Sequence, residues 1–304
     1  MSILYSKDNS IYELDLLTNL TTEVISFESR VVRFLFTNDN SRVLVNFSES
    51  LRLYDVNSKE LLHSFKINYE YITSFAINKN ETKIAILYRF NECCQKIHIF
   101  DLSTYEIICY YNDLNPDDNY SHQCHSYKFE FNNDGSILFI FVHNEIVIFD
   151  VDNNVVLNRK SIKSTEIFSF LEFKIYDDEI FIIMRENDKL KVLNGEFNVI
   201  SEFPHIFTGI YIFNPVDKKF IISPQFSIKE YDIITGEYRD VIQNLYGIHS
   251  NFFSTDGSTL AVNCLTKILI FDVNNNYSLI RDVSIKLTYI SYPRFKITGY
   301  GSYI

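Results

Sequence analysis

The chain has 304 residues, 46% hydrophobic, 16% aromatic and 22% charged, with a formal net charge of −11. That much apolar material feeds a buried core and excludes a disordered chain. The acidic excess excludes broad binding to a phosphate backbone, which needs clustered Lys and Arg, so nucleic acid is not an expected partner.

Met1 to Asp8 carries neither the basic stretch nor the apolar run of a signal peptide. The apolar runs, such as Ile137 to Val142 and Glu179 to Met184, fall far short of the ~20 residues that span a bilayer as a helix. The cysteines are odd in number, and Cys93 and Cys94 are adjacent, which does not read as a disulfide framework. An intracellular location, cytoplasmic or nuclear, and no membrane insertion are expected.

Along the chain one phrase returns: aliphatic residues in alternation, an aromatic, Asp, then an aliphatic. A weak copy, Ile11 to Leu16, follows a short strand near Ile3 to Tyr5. Clear copies are Leu51 to Val56, Ile97 to Leu102, Ile146 to Val151 and Ile268 to Val273; Leu190 to Asn194 and Ile228 to Ile233 are weaker. The markers Asp15, Asp55, Asp101, Asp150, Asn194, Asp232 and Asp272 stand at intervals of 40, 46, 49, 44, 38 and 40 residues.

Around Asp101 the whole unit is visible: Tyr71 to Ile77, the turn Asn78-Lys79-Asn80, Lys83 to Tyr88, Ile97 to Asp101, then Glu106 to Tyr111. These segments are short, rich in β-branched and aromatic residues, and punctuated by Asn and Asp, which predicts strands rather than helices. Ile137 to Val142 is apolar on both faces, as expected of a strand covered on both sides. The recurring Asp55, Asp101, Asp150 and Asp272 are read as turn caps, since their regularity is structural and catalytic carboxylates converge in pairs.

Phe253-Ser254-Thr255-Asp256-Gly257-Ser258-Thr259-Leu260-Ala261 resembles the turn between the first two strands of a WD repeat, and Phe271-Asp272 stands where that family has Trp-Asp. The resemblance runs over essentially the whole chain, although it contains no Trp and no Gly-His dipeptide. It implies an all-β fold, a seven-bladed β-propeller of four-stranded antiparallel blades, in one domain spanning residues 1–304. A miscounted weak copy would make it six or eight. The N-terminal blade has room for three strands, so the ring is expected to close through a C-terminal strand, Leu287 to Tyr292, joining that blade.

The resemblance also implies a non-enzymatic scaffold or adaptor that binds other proteins. The alternative is a propeller enzyme, hydrolase or lyase, with its site in the central channel. No nucleophile elbow, phosphate-cradling loop or His-Glu-x-x-His sequence occurs, and no catalytic residue, cofactor or metal is assigned. His122, Cys124 and His125, with Cys93 and Cys94, match no zinc-finger spacing and are read as residues without a metal.

The intervals of 46 and 49 residues come from two enlarged loops, Tyr88 to Lys96 and Asn112 to His125. Arg89 and Phe90 on the first, with Asp113, Asp117, Asp118 and Tyr120 on the second, form the candidate protein-binding surface, suited to a basic or mixed partner.

Overall fold

A computed structural model describes residues 2–15, 18, 20–47, 50–65, 71–89, 95–111, 128–142, 145–161, 169–176, 179–186, 189–204, 210–224, 226–254, 256–264, 267–284 and 296–298. These residues form seven antiparallel sheets of four strands each. Blade 2 is β4 (Arg33–Phe36), β5 (Arg42–Asn46), β6 (Leu51–Asp55) and β7 (Leu61–Phe65). Blade 3 is β8 (Tyr71–Ile77), β9 (Lys83–Arg89), β10 (Gln95–Asp101) and β11 (Ile107–Tyr111). Blade 4 is β12 (Lys128–Phe131), β13 (Ile137–Val142), β14 (Glu145–Asp150) and β15 (Val155–Ser161). Blade 5 is β16 (Ser169–Tyr176), β17 (Glu179–Glu186), β18 (Lys189–Leu193) and β19 (Val199–Pro204). Blade 6 is β20 (Ile210–Phe213), β21 (Lys219–Ser223), β22 (Ile228–Asp232) and β23 (Tyr238–Ile242). Blade 7 is β24 (Ile248–Phe253), β25 (Thr259–Cys264), β26 (Lys267–Asp272) and β27 (Ser278–Ser284).

Blade 1 combines both ends of the chain. Strands β1 (Ser2–Lys7), β2 (Ser10–Asp15) and β3 (Thr21–Ser26) are completed by β28 (Lys296–Thr298), which runs antiparallel to β1 with Ser2 opposite Thr298 and Leu4 opposite Lys296. The strand expected to do this, Leu287 to Tyr292, lies outside the described residues; the strand paired with β1 comes later in the chain.

The chain divides into two compact units, 27–165 and the remainder. In the first, alternate residues of one strand serve two interfaces. Ile84 and Ile86 of β9 pack with Leu44, Leu53 and Phe65 of blade 2, while Ala85 and Leu87 pack with Phe129, Leu138 and Ile140 of blade 4. The two-residue period of a strand makes this division, and it requires apolar residues at consecutive positions. In the second unit, Phe220 and Ile222 of β21 join Phe181, Val192 and Phe203 of blade 5, whereas Ile221 joins Leu260 and Val262 of blade 7. Ile268, Ile270 and Val283 of blade 7 in turn pack with Leu14 of blade 1. Each fully buried side chain of this kind contributes about 1.5–3 kcal/mol.

The turns follow from Asx chemistry. Every marker residue accepts a backbone N–H from its own turn: Asp55 from Asn57 and Ser58 at 2.9 and 2.8 Å, Asp101 from Ser103 and Thr104, Asp150 from Asn153, Asp232 from Ile234 and Thr235, Asp272 from Asn275, Asp15 from Thr18, and Asn194 from Glu196 and Asn198. These bonds, to Ser58 foremost for Asp55, hold its carboxyl below the usual range. The capping role read from the sequence is what Asp55, Asp101, Asp150 and Asp272 perform.

A second set of caps closes the hairpin between first and second strands. Asn78 accepts from Thr82 and Lys83 N–H, Asn132 from Ile137, Ser254 from Thr259 and Thr37 from Arg42. The third and fourth strands shift register by one residue in every blade. In five blades the unpaired residue at that bulge is apolar and exposed: Leu62, Ile108, Leu157, Ile200 and Ile280.

Candidate protein-binding site

Consecutive strands of a blade are antiparallel. The turn between second and third strands and the exit to the next blade therefore lie at one end of the sheet, opposite the Asx-capped turns. The enlarged loops of blade 3 are of this kind. Arg89 is the last residue of β9, but its side chain, with Phe90, Asp113, Asp117, Asp118 and Tyr120, lies outside the described residues, as do Cys93, Cys94, His122, Cys124 and His125.

The roots of those loops are anchored. Tyr88, fully buried, hydrogen-bonds through its hydroxyl to His98 Nε2, and the rings meet edge-on with centroids 4.6 Å apart. Burial, reinforced by Lys96, lowers the pKa of His98. At the root of the second loop Tyr111 is buried, and its hydroxyl accepts from Arg159 Nη2 at 2.9 Å.

The corresponding loops of blade 6 carry a pair of aromatics that sequence reasoning missed. Phe226, between β21 and β22, is 56% exposed, and Tyr246, between β23 and β24, is 72% exposed. Their rings meet at 70° with centroids 5.7 Å apart. The backbone fixes the pair: Leu245 N–H donates to Phe226 O at 3.0 Å, and the Leu245 side chain is buried among Ile228, Ile242 and Leu260. Positive φ at Asn244 and Gly247 turns the chain on either side, so Leu245 points inward and Tyr246 outward.

Pro224 to Ile228 and Gln243 to Ile248 contain no charged residue, so this surface offers ring faces, a phenol and amide groups without net charge. Large aromatics held rigidly at the surface bury much area on contact at little entropic cost. The legible signal was two aromatics in uncharged turns; loop length pointed elsewhere because both loops are of ordinary size.

Toward the opposite, Asx-capped end of the sheets a polar link joins blades 6 and 7. The Glu230 carboxylate, 7% exposed, accepts from Tyr277 Oη at 2.7 Å and from Arg239 Nε at 2.9 Å. Burial, then the adjacent carboxylate, pushes the Tyr277 phenol upward. Among the described residues no group of three or more His, Cys, Asp or Glu is placed to hold a metal ion, and no helix is long and apolar enough to cross a membrane.

Solved structures define the class to which this architecture belongs. The C-terminal WD40 domain of Sif2 superposes with a TM-score of 0.67 at 14% identity, covering 94% of this chain and 84% of that one. A chain of the mitotic checkpoint complex gives 0.62 at 12% identity, with coverage of 86% and 84%. The β-propeller domain of Cps50 (Swd1) from Myceliophteria thermophila gives 0.61 at 10% identity, with coverage of 85% and 88%. The fold is a seven-bladed β-propeller of the WD40 kind. The chain matches no protein-family model and no curated protein.

Proposed function

We propose that residues 1–304 act as one non-enzymatic protein-interaction module inside the cell, a scaffold or adaptor that binds a partner through the loops opposite its Asx-capped turns. The observation that carries this reading is the exposed Phe226–Tyr246 pair in charge-free loops. Recognition there is by apolar contact and hydrogen bonding, and the partner presents an apolar or aromatic anchor to it. The blade 3 loops, with Arg89, Phe90, Asp113, Asp117, Asp118 and Tyr120, form a second contact region that adds charge selectivity for a basic or mixed surface. A propeller chain within the mitotic checkpoint complex supports the same kind of role by analogy of fold.

The test is partner capture from the native source with the wild type, with F226A/Y246A, and with F90A/Y120A. Both aromatics of the first variant are solvent-exposed, so it keeps the wild-type melting temperature. Loss of one specific partner by that variant supports the reading, with an affinity drop of about ten- to thirty-fold per anchor removed. An unchanged set of partners for both variants overturns it.

A further inference from the structure

We propose that Asn194 is a built-in site of spontaneous deamidation, at which the single Asn marker is converted to the acid that the other six blades already carry.

Asn194-Gly195 is the only Asn-Gly pair in the sequence. In the reaction the Gly195 backbone nitrogen attacks Asn194 Cγ and closes a five-membered succinimide. The Cγ–Nδ2 bond breaks, and ammonia leaves with the proton surrendered by the attacking nitrogen. Water then opens the imide. Cleavage of the new N–Cγ bond leaves an aspartate at position 194, and cleavage of the original peptide bond leaves an isoaspartate. The net change is amide plus water to carboxylic acid plus ammonia, with no oxidant or reductant.

Three features of the turn favour this step. The oxygen that becomes anionic in the tetrahedral intermediate, Asn194 Oδ1, already accepts backbone N–H groups from Glu196 at 3.1 Å and Asn198 at 2.8 Å, a preorganised pair of donors for that charge. Among the described residues the Gly195 N–H donates to no acceptor, so the nucleophile is not held by a hydrogen bond. The Asp-Gly pairs differ: Gly135 N–H is bound to Asn132 O at 3.2 Å and Gly257 N–H to Ser254 O at 2.9 Å. Asn194 and Gly195 are also partly exposed, which admits water.

The fold accepts the product. A carboxylate at position 194 would receive the same two N–H groups, as Asp55 receives Asn57 and Ser58 and Asp232 receives Ile234 and Thr235. The isoaspartate would lengthen the backbone between β18 and β19, just beyond the register shift at Val192/Leu193.

The experiment incubates the full-length protein in mildly alkaline buffer, folded or in denaturant, and follows position 194 by peptide mass mapping and isoaspartate detection. The expected result is conversion at least about tenfold faster in the folded chain, with aspartate as the main product. N194D is expected to melt at or above the wild-type temperature. A folded rate no faster than that of the denatured chain, or a clearly lower melting temperature for N194D, overturns the proposal.

Discussion

Gly257 of blade 7 stands against the side chain of Asn214 in blade 6, and Asn214 Nδ2 donates to the Gly257 carbonyl at 3.4 Å. The same contact joins blades 3 and 4. There Asn78 Nδ2 donates to Asp134 O at 3.2 Å, and a Cβ on Gly135 would lie 2.8 Å from Asn78 Nδ2. Asn214 also caps its own turn, accepting from Val216 and Asp217 N–H at 2.9 and 3.1 Å, so in both pairs the cap of one blade is a strut against the glycine of the next. G257A and G135A are each expected to lose about 2–4 kcal/mol, from left-handed φ values of +68° and +80° and from overpacking on Asn. Urea unfolding of both variants measures this, and N214G should relieve only the packing share in the G257A background.

Glu230 occupies a position held by Leu53, Ile99, Ile148 and Ile270 in other blades. Removing its carboxylate in E230A leaves the buried Tyr277 hydroxyl without its acceptor and Arg239 Nε without its own, while Arg239 Nη1 keeps Asn276 Oδ1 at 2.9 Å, at an expected loss of about 2–4 kcal/mol. Replacing Glu230 and Tyr277 together by apolar groups in E230L/Y277F, with Arg239 still bound to Asn276, should recover most of that loss. Equilibrium denaturation of the three proteins decides it, with the double variant expected between E230A and wild type.

His98 and His63 are both held below the ordinary imidazole pKa, mainly by burial. A depressed folded value means that the unfolded chain takes up protons first as the pH falls. Their contribution is therefore fully present above the unfolded value of about 6.5 and is lost as the pH drops below it toward the folded values. The urea midpoint should fall between pH 7.5 and pH 5, and the fall should be shallower in H98Q and H63Q.

Cys109 is buried between blades 3 and 4, and desolvation pushes its thiol up to about 11; burial raises that of Cys264 as well. Since only the thiolate attacks electrophiles, both should resist a thiol reagent in the native protein and react at once in denaturant. Mass mapping after timed alkylation would show this, with modification of Cys109 or Cys264 at the rate of a free thiol as the contrary result.

The spacing of Asp15, Asp55, Asp101, Asp150, Asn194, Asp232 and Asp272 pointed to seven four-stranded units, and the regularity of Asp55, Asp101, Asp150 and Asp272 to their capping role; the seven sheets of the structure removed the alternatives of six or eight. That information is local: the alternation of a strand and the Asx turn that ends it are both written within a few residues. The same holds for Ile137 to Val142, whose apolar pattern announced burial: Leu138 and Ile140 pack with Ala85 and Leu87 of blade 3, and Phe139 and Phe141 are buried.

Only the tertiary structure decided which side chains meet across that repeat. The apolar pattern points to Leu287 to Tyr292 as the strand completing blade 1, whereas Lys296–Thr298 pairs with β1, because three residues carry too little pattern to be read. The pairing of Phe226 with Tyr246, of Asn214 with Gly257 and of Glu230 with Tyr277 joins positions 20 to 47 residues apart. Contacts of that separation depend on how strands and blades stack, which neither composition nor period encodes.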